Sequence, residues 1–143
     1  MLKNFIFAPI LFRIFIIPVR DGFIFTSFII KDKFFERRTS TIKNAAEEFL
    51  NKGVKNVIIT LGEKGIYFAN RKEKFFLEAY KLKQNVIDTT GAGDAFNGAL
   101  AVGLANDLDI KEALTFANKV AGISTTRLGA AASMPLAEEL EDN

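Results

Sequence analysis

The stretch that most constrains the fold is Val86-Ile87-Asp88-Thr89-Thr90-Gly91-Ala92-Gly93-Asp94-Ala95-Phe96-Asn97-Gly98. An apolar pair leads into a carboxylate, two threonines, Gly-Ala-Gly and a second carboxylate. Ala95, Phe96, Ala99, Leu100 and Val102 then recur at helical spacing. The pattern predicts a strand over Lys81–Asp88, a tight turn and a helix start. Glycines in such a turn permit positive φ and close approach of a ligand to the backbone. The amides of a first helical turn, at the positive end of the helix dipole, favour anions. A carboxylate beside an anion site, here Asp94, suits a base that takes a proton from an attacking hydroxyl. The plainer alternative is a glycine-rich turn with a helix-capping Asp.

At 143 residues the chain is long enough for one domain with a core and short for two. Its 19 basic and 17 acidic residues leave a formal net charge of +2, which gives no argument for nucleic acid or an anionic membrane. Cysteine and histidine are both absent. Disulfides, thiolate metal sites, imidazole bases and His-ligated metals are therefore excluded. Chemistry falls to carboxylates, lysines, hydroxyls and backbone dipoles.

Residues 1–38 differ from the rest. Phe5 to Val19 and Phe23 to Ile30 are apolar runs, and nine of the 15 phenylalanines precede residue 36. A membrane span needs about 20 apolar residues, and Arg13 interrupts the first run. No small-x-small cleavage site follows it. The alternation predicts strands, buried or adhesive. From 39 to 143 the chain is orderly. Thr39, Ser40 or Thr41 can cap a helix whose inner face is Ile42, Ala45, Ala46, Phe49 and Leu50. Gly53 stops it. Val54 to Leu61 reads as a buried strand, and Ile66–Ala69 and Lys74–Ala79 as a strand pair, a small antiparallel excursion at Gly65 to Ala79.

Thr60-Leu61-Gly62-Glu63-Lys64-Gly65 follows the first of these strands. Open α/β sheets bind ligands beyond the carboxyl ends of their strands; the alternative is a simple hairpin connection. A second helix with Asp109-Ile110-Lys111-Glu112 as a capping box carries the stripe Ile110, Ala113, Leu114, Ala117 and Ala121. Asn118 lies off that stripe. Gly98 and Gly103 fall inside a helix, at about 1 kcal/mol each relative to alanine, which packing against the sheet or a nucleotide would offset. Ser124 to Ser133 reads as a small-residue loop, and Met134-Pro135 opens a short final helix.

The Asp-Thr-Thr-Gly-Ala-Gly-Asp-Ala-Phe-Asn-Gly run resembles the second sugar-kinase motif of the ribokinase family. The Thr60–Gly65 loop resembles the Thr-Leu-Gly-x-x-Gly loop with which those enzymes line ATP. The resemblance covers about Thr41 to Leu140. It implies an α/β fold of three layers, a mainly parallel sheet flanked by helices, truncated at its N-terminal side. It implies transfer of the ATP γ-phosphoryl to a sugar hydroxyl, with D-ribose favoured. Asp94 would be the base, and the Gly91, Ala92 and Gly93 amides the anion hole. ATP would touch Thr60, Leu61, Gly62, Glu63, Lys64, Gly65, Gly93, Asp94 and Asn118. Mg²⁺ would ride on the phosphates. A monovalent cation, K⁺, would be held through oxygens of Asp88, Thr90, Ser124, Arg127, Gly129 and Ser133. A cytoplasmic enzyme working on a sugar and ATP is implied, with no nucleic-acid or membrane partner and a homodimer left open. The sugar-binding Gly-Gly-Asn region and the β-sheet lid of complete ribokinases are not in this sequence. Two alternatives stand: a nucleotide-binding remnant without catalysis, and a fructokinase or nucleoside kinase of the same family.

Overall fold

The computed structural model describes residues 14–19, 22–27 and 39–140. Its order is β1 (Ile14–Val19), β2 (Gly22–Ser27), α1 (Thr39–Asn51), β3 (Asn56–Thr60), β4 (Ile66–Asn70), β5 (Lys74–Leu77), α2 (Ala92–Ala105) and α3 (Ile110–Ser124). The five strands form one sheet in sequence order. The expected strands of the Phe-rich segment are β1 and β2; the expectation that they bury their side chains lies outside the described residues.

Period-two alternation in the middle strands builds the layers. Ile58, Ile66 and Phe68 point to one face, where they meet Ala95, Phe96, Ala99 and Leu100 of α2 and Ala113, Leu114 and Ala117 of α3. Val57, Ile59, Tyr67 and Ala69 point to the other, against Ile42, Ala46 and Leu50 of α1. The molecule is thus a three-layer α/β structure, with helices on both faces. On α2 the expected stripe holds for Ala95, Phe96, Ala99 and Leu100, while Val102 is exposed. On α3 the apolar face extends to Val120 and Ile123.

Parallel pairing is narrower than expected. Only β2–β3 is parallel among the described strands, and β1–β2, β3–β4 and β4–β5 are antiparallel. The reason is connection length. Parallel neighbours need a crossover of a dozen or more residues, and only the stretch containing α1 is that long. The final expected strand does not form: residues 78–89 are irregular, and Val86 and Ile87 are exposed. The amides of Ile87 and Asp88 both donate to the single carbonyl of Thr125, at 2.8 and 3.1 Å, and among the described residues no strand pairs with them. The expected closing helix is a 3₁₀ turn at Glu138–Leu140.

The two helical glycines also separate. A Cβ on Gly103 would lie 3.2 Å from the Ala113 Cβ, so this glycine brings α2 close to α3. Among the described residues nothing lies within 4 Å of a Cβ on Gly98, so the sheet does not offset its helix penalty. The capping box at α3 forms as expected: the Asp109 carboxylate accepts from the Glu112 amide at 2.8 Å, and the Glu112 carboxylate accepts from the Asp109 amide at 3.2 Å. Asp109→Ala is expected to lower stability by about 1 kcal/mol, read as a shift of the urea midpoint at unchanged slope.

Candidate functional site

The carboxyl end of β3, the start of α2 and one side of α3 enclose a cleft of about 760 Å³. Thr60, Leu61, Gly62, Glu63, Lys64 and Gly65 line it, together with Ala92, Gly93 and Asn118. Stretches separated by more than fifty residues meet there. The 60–65 loop is both things its sequence allowed. It connects the antiparallel pair β3–β4, and it faces the cleft. The Leu61 amide donates to the Gly65 carbonyl at 2.7 Å, closing the loop around a 3₁₀ turn at Gly62–Lys64. Gly65 has φ +90, and a Cβ there would sit 2.0 Å from the Leu77 carbonyl oxygen. Close approach at Gly65 therefore serves the neighbouring strand β5.

Gly91 precedes α2 in the left-handed region, at φ +77. A Cβ on it would lie 2.9 Å from both Cα and Cβ of Ala130, so the glycine also lets the 124–133 loop pack against the turn. The Ala92 amide donates to the Thr89 carbonyl at 3.3 Å, and the Ala95 amide to the Gly91 carbonyl at 2.9 Å. Among the described residues no backbone carbonyl accepts from the amides of Gly91 or Gly93. First-turn amides lack intrahelical partners, so these two are the better-placed anion donors of the three expected. Asp94 follows in the same turn and is exposed.

The residues expected around a cation divide. The Asp88 carboxylate accepts from the Thr90 amide at 2.9 Å through one oxygen and from the Gly129 amide at 3.0 Å through the other. Asp88, Thr90 and Gly129 are thus together. The Ser124 hydroxyl donates to the Ala121 carbonyl and the Ser133 hydroxyl to the Ala130 carbonyl, both at 2.8 Å. Arg127 pairs with Glu139 at 2.9 Å. No cluster of three or more acidic residues able to hold a metal exists among the described residues.

The Thr90 hydroxyl, then the amides of Gly129 and Thr90, hold the Asp88 carboxyl below its ordinary value. The native state therefore binds that proton more weakly than the unfolded chain. The stabilisation is full above about pH 4, the unfolded value, and is lost as pH falls through the lower folded value. Glu139, lowered by the Leu136 amide and then by Arg127, acts in the same direction. Melting temperature is expected to fall on acidification below about pH 4. Asp88→Asn, which cannot accept from both amides, is expected to melt lower at neutral pH and to show a shallower acid slope.

Several cleft-lining residues escaped sequence reading, Tyr80, Leu82 and Gly122 among them. Tyr80 and Leu82 line the cleft from the irregular segment after β5, and Gly122 lines it from α3. A Cβ on Gly122 would lie 3.3 Å from the Tyr80 Cβ and 3.6 Å from the Leu82 Cδ2. The one available signal was a glycine inside an otherwise good helix.

The sequence description of pfkB family carbohydrate kinases matches residues 30–137. The chain belongs to the pfkB carbohydrate kinase family. It is 44% identical over 101 residues to the ribokinase of Staphylococcus aureus, covering 70% of this chain and 33% of that enzyme. Among solved structures it is similar to the ribokinase of Thermotoga maritima, with TM-score 0.68, 48% identity, and 78% of this chain and 36% of that one covered. Arabidopsis thaliana ribokinase, solved with ribose and ATP, gives TM-score 0.69 and 31% identity over 74% of this chain and 34% of its own. An Escherichia coli protein described as a putative ribokinase II, solved with ATP and Mg²⁺, gives 0.70 and 28% over 83% and 38%. The chain spans about a third of the length of the curated relatives it matches. No helix among the described residues is long and apolar enough to cross a membrane.

Proposed function

We propose that this chain is the nucleotide-binding part, over 39–143, of a sugar kinase that phosphorylates a hydroxyl of D-ribose to give ribose 5-phosphate. The observation that carries the reading is the convergence of the 60–65 loop, the start of α2 and Asn118 on one cleft. Its supports are family membership and similarity to ribokinases solved with ATP and with ribose.

ATP would lie along the cleft with its phosphates toward the first turn of α2. The sugar hydroxyl oxygen attacks the γ-phosphorus. The bond from that phosphorus to the β–γ bridging oxygen breaks, and ADP leaves. Asp94 takes the hydroxyl proton. The amides of Gly91, Ala92 and Gly93 face the charge that develops on the phosphoryl oxygens, with Gly91 and Gly93 the freer donors. Mg²⁺ neutralises phosphate charge when bound, and with no acidic cluster among the described residues its ligands would come mainly from the phosphates. A monovalent cation would be held at the contact of loops 88–91 and 124–133 through oxygens of Asp88, Thr90, Ser124, Arg127, Gly129 and Ser133; the Ser124 and Ser133 hydroxyls donate to carbonyls and keep lone pairs for it. The cellular setting we assign is cytoplasmic.

A second reading is favoured by the place of Asp94, outside the lining of the cleft: the chain binds nucleotide without transferring phosphate. ADP release with Mg-ATP and K⁺, with and without D-ribose, separates the two. Release that depends on ribose supports the kinase. Release that depends instead on fructose or a nucleoside reassigns the acceptor within the family. Binding of ATP with no acceptor-dependent release supports the second reading.

A further inference from the structure

The wall of the cleft built on α3 has a direction. Just past the helix end, the Thr125 carbonyl accepts the Ile87 and Asp88 amides, beside the turn that starts α2. Gly122 packs against Tyr80 and Leu82. Asn118 is one turn further back and donates from Nδ2 to the Glu78 carbonyl at 2.7 Å. A helix rises about 1.5 Å per residue, so Asn118 lies roughly 10 Å from the phosphate-facing end. It therefore marks the base end of the cleft.

Residues 78–82 have no ladder of their own, since β5 ends at Leu77. Contacts to α3 hold them: the Asn118–Glu78 hydrogen bond, the Lys119 ammonium 5.6 Å from the Tyr80 ring centroid, and the close fit at Gly122. A carbonyl only accepts, so the Asn118 nitrogen must face Glu78, and its orientation is settled by chemistry. One of the two N–H groups of the Asn118 amide is thus engaged with backbone.

We propose that Asn118 is a positioning residue, which holds segment 78–82 in place as the base-end wall and affects the nucleotide through that wall, without reading the base. The proposal rests on the nucleotide reading above. Losing the donor should weaken binding of any purine nucleotide by the same factor.

The test uses the full chain with Asn118→Asp, Asn118→Ala and Asn118→Gln. The protein has no tryptophan and two tyrosines; Tyr67 is 2% exposed, so acrylamide quenching of tyrosine emission reports mainly on Tyr80. Asp places an acceptor against a carbonyl, and Ala removes the side chain. Both are expected to raise quenching in the absence of nucleotide and to weaken Mg-ATP and Mg-GTP equally, by about tenfold. Gln, which keeps the amide donor, is expected to restore most of both. A changed ATP-to-GTP ratio with unchanged quenching would mean that Asn118 reads the base, and would overturn the proposal. Raised quenching with unchanged affinity would overturn it too. If the parent chain binds neither nucleotide, the nucleotide reading fails, and unchanged quenching in the Asp and Ala variants would remove the wall assignment as well.

Discussion

Asp94→Asn is expected to reduce sugar-dependent ADP release by about 10²- to 10⁴-fold, the range of a lost general base. Mg-ATP binding should be retained or slightly tightened. The substitution keeps the shape of the side chain and removes its ability to take a proton. It also removes a negative charge near bound phosphates, which can only favour their binding. The geometry separates the two effects. Gly93 lines the cleft, whereas Asp94, the next residue in the first turn of α2, is exposed and is not part of its lining. Steady-state ADP release and equilibrium binding, measured on the same preparation, check both halves. Turnover at the parent rate would remove Asp94 from its role.

Gly65→Ala is expected to destabilise the chain by about 3 kcal/mol or more, from backbone strain combined with a backbone collision. The φ of +90 disfavours any side chain, and the added Cβ would meet the Leu77 carbonyl oxygen at 2.0 Å and the Ala79 amide nitrogen at 2.6 Å. Neither is the end of a flexible side chain, so relief requires moving β5 away from the loop. Nucleotide binding should fall with stability, because the 60–65 loop and Ala79, Tyr80 and Leu82 line the same cleft. Gly62→Ala is the control. Gly62 also has positive φ, +61, but nothing lies within 4 Å of its Cβ position. Its expected penalty is about 1–2 kcal/mol, from the left-handed conformation alone. Thermal melts of the two variants side by side check the prediction. Equal penalties would mean that the contact with Leu77 has no weight.

Much of this arrangement could be read from local pattern. Ile42, Ala46 and Leu50 mark the inner face of α1, and Val57-Ile58-Ile59 the buried strand, because three-to-four and two-residue periods directly encode which way side chains point. The Asp109 capping box is local chemistry four residues long, and it forms as its residues require. The long Asp88–Gly98 motif, with the Thr60–Gly65 loop, carried the family resemblance. What failed was whatever depends on a distant partner. Val86 and Ile87 look like strand residues, but a strand needs a neighbour, and their backbone found one carbonyl at Thr125. The sheet was expected to be mainly parallel with a small antiparallel excursion at Gly65 to Ala79; β4–β5 forms that excursion, and β1–β2 and β3–β4 are antiparallel as well because their connections are too short to cross over. Asn118 was expected to touch ATP; it lines the cleft, and its amide also holds a carbonyl forty residues upstream, which no sequence pattern shows. Sequence shows the donors and acceptors; only packing shows which have already been used.

The central claim is that the 60–65 loop, the first turn of α2 and Asn118 form one nucleotide site. Titration calorimetry of the intact chain with Mg-ATP tests it most directly. The predicted result is saturable binding at one site per chain, competed by ADP, and weakened when Gly93→Val fills the cleft at the helix start while the far-UV spectrum stays that of the parent. No binding by a chain whose spectrum and cooperative melt show it folded would contradict the claim.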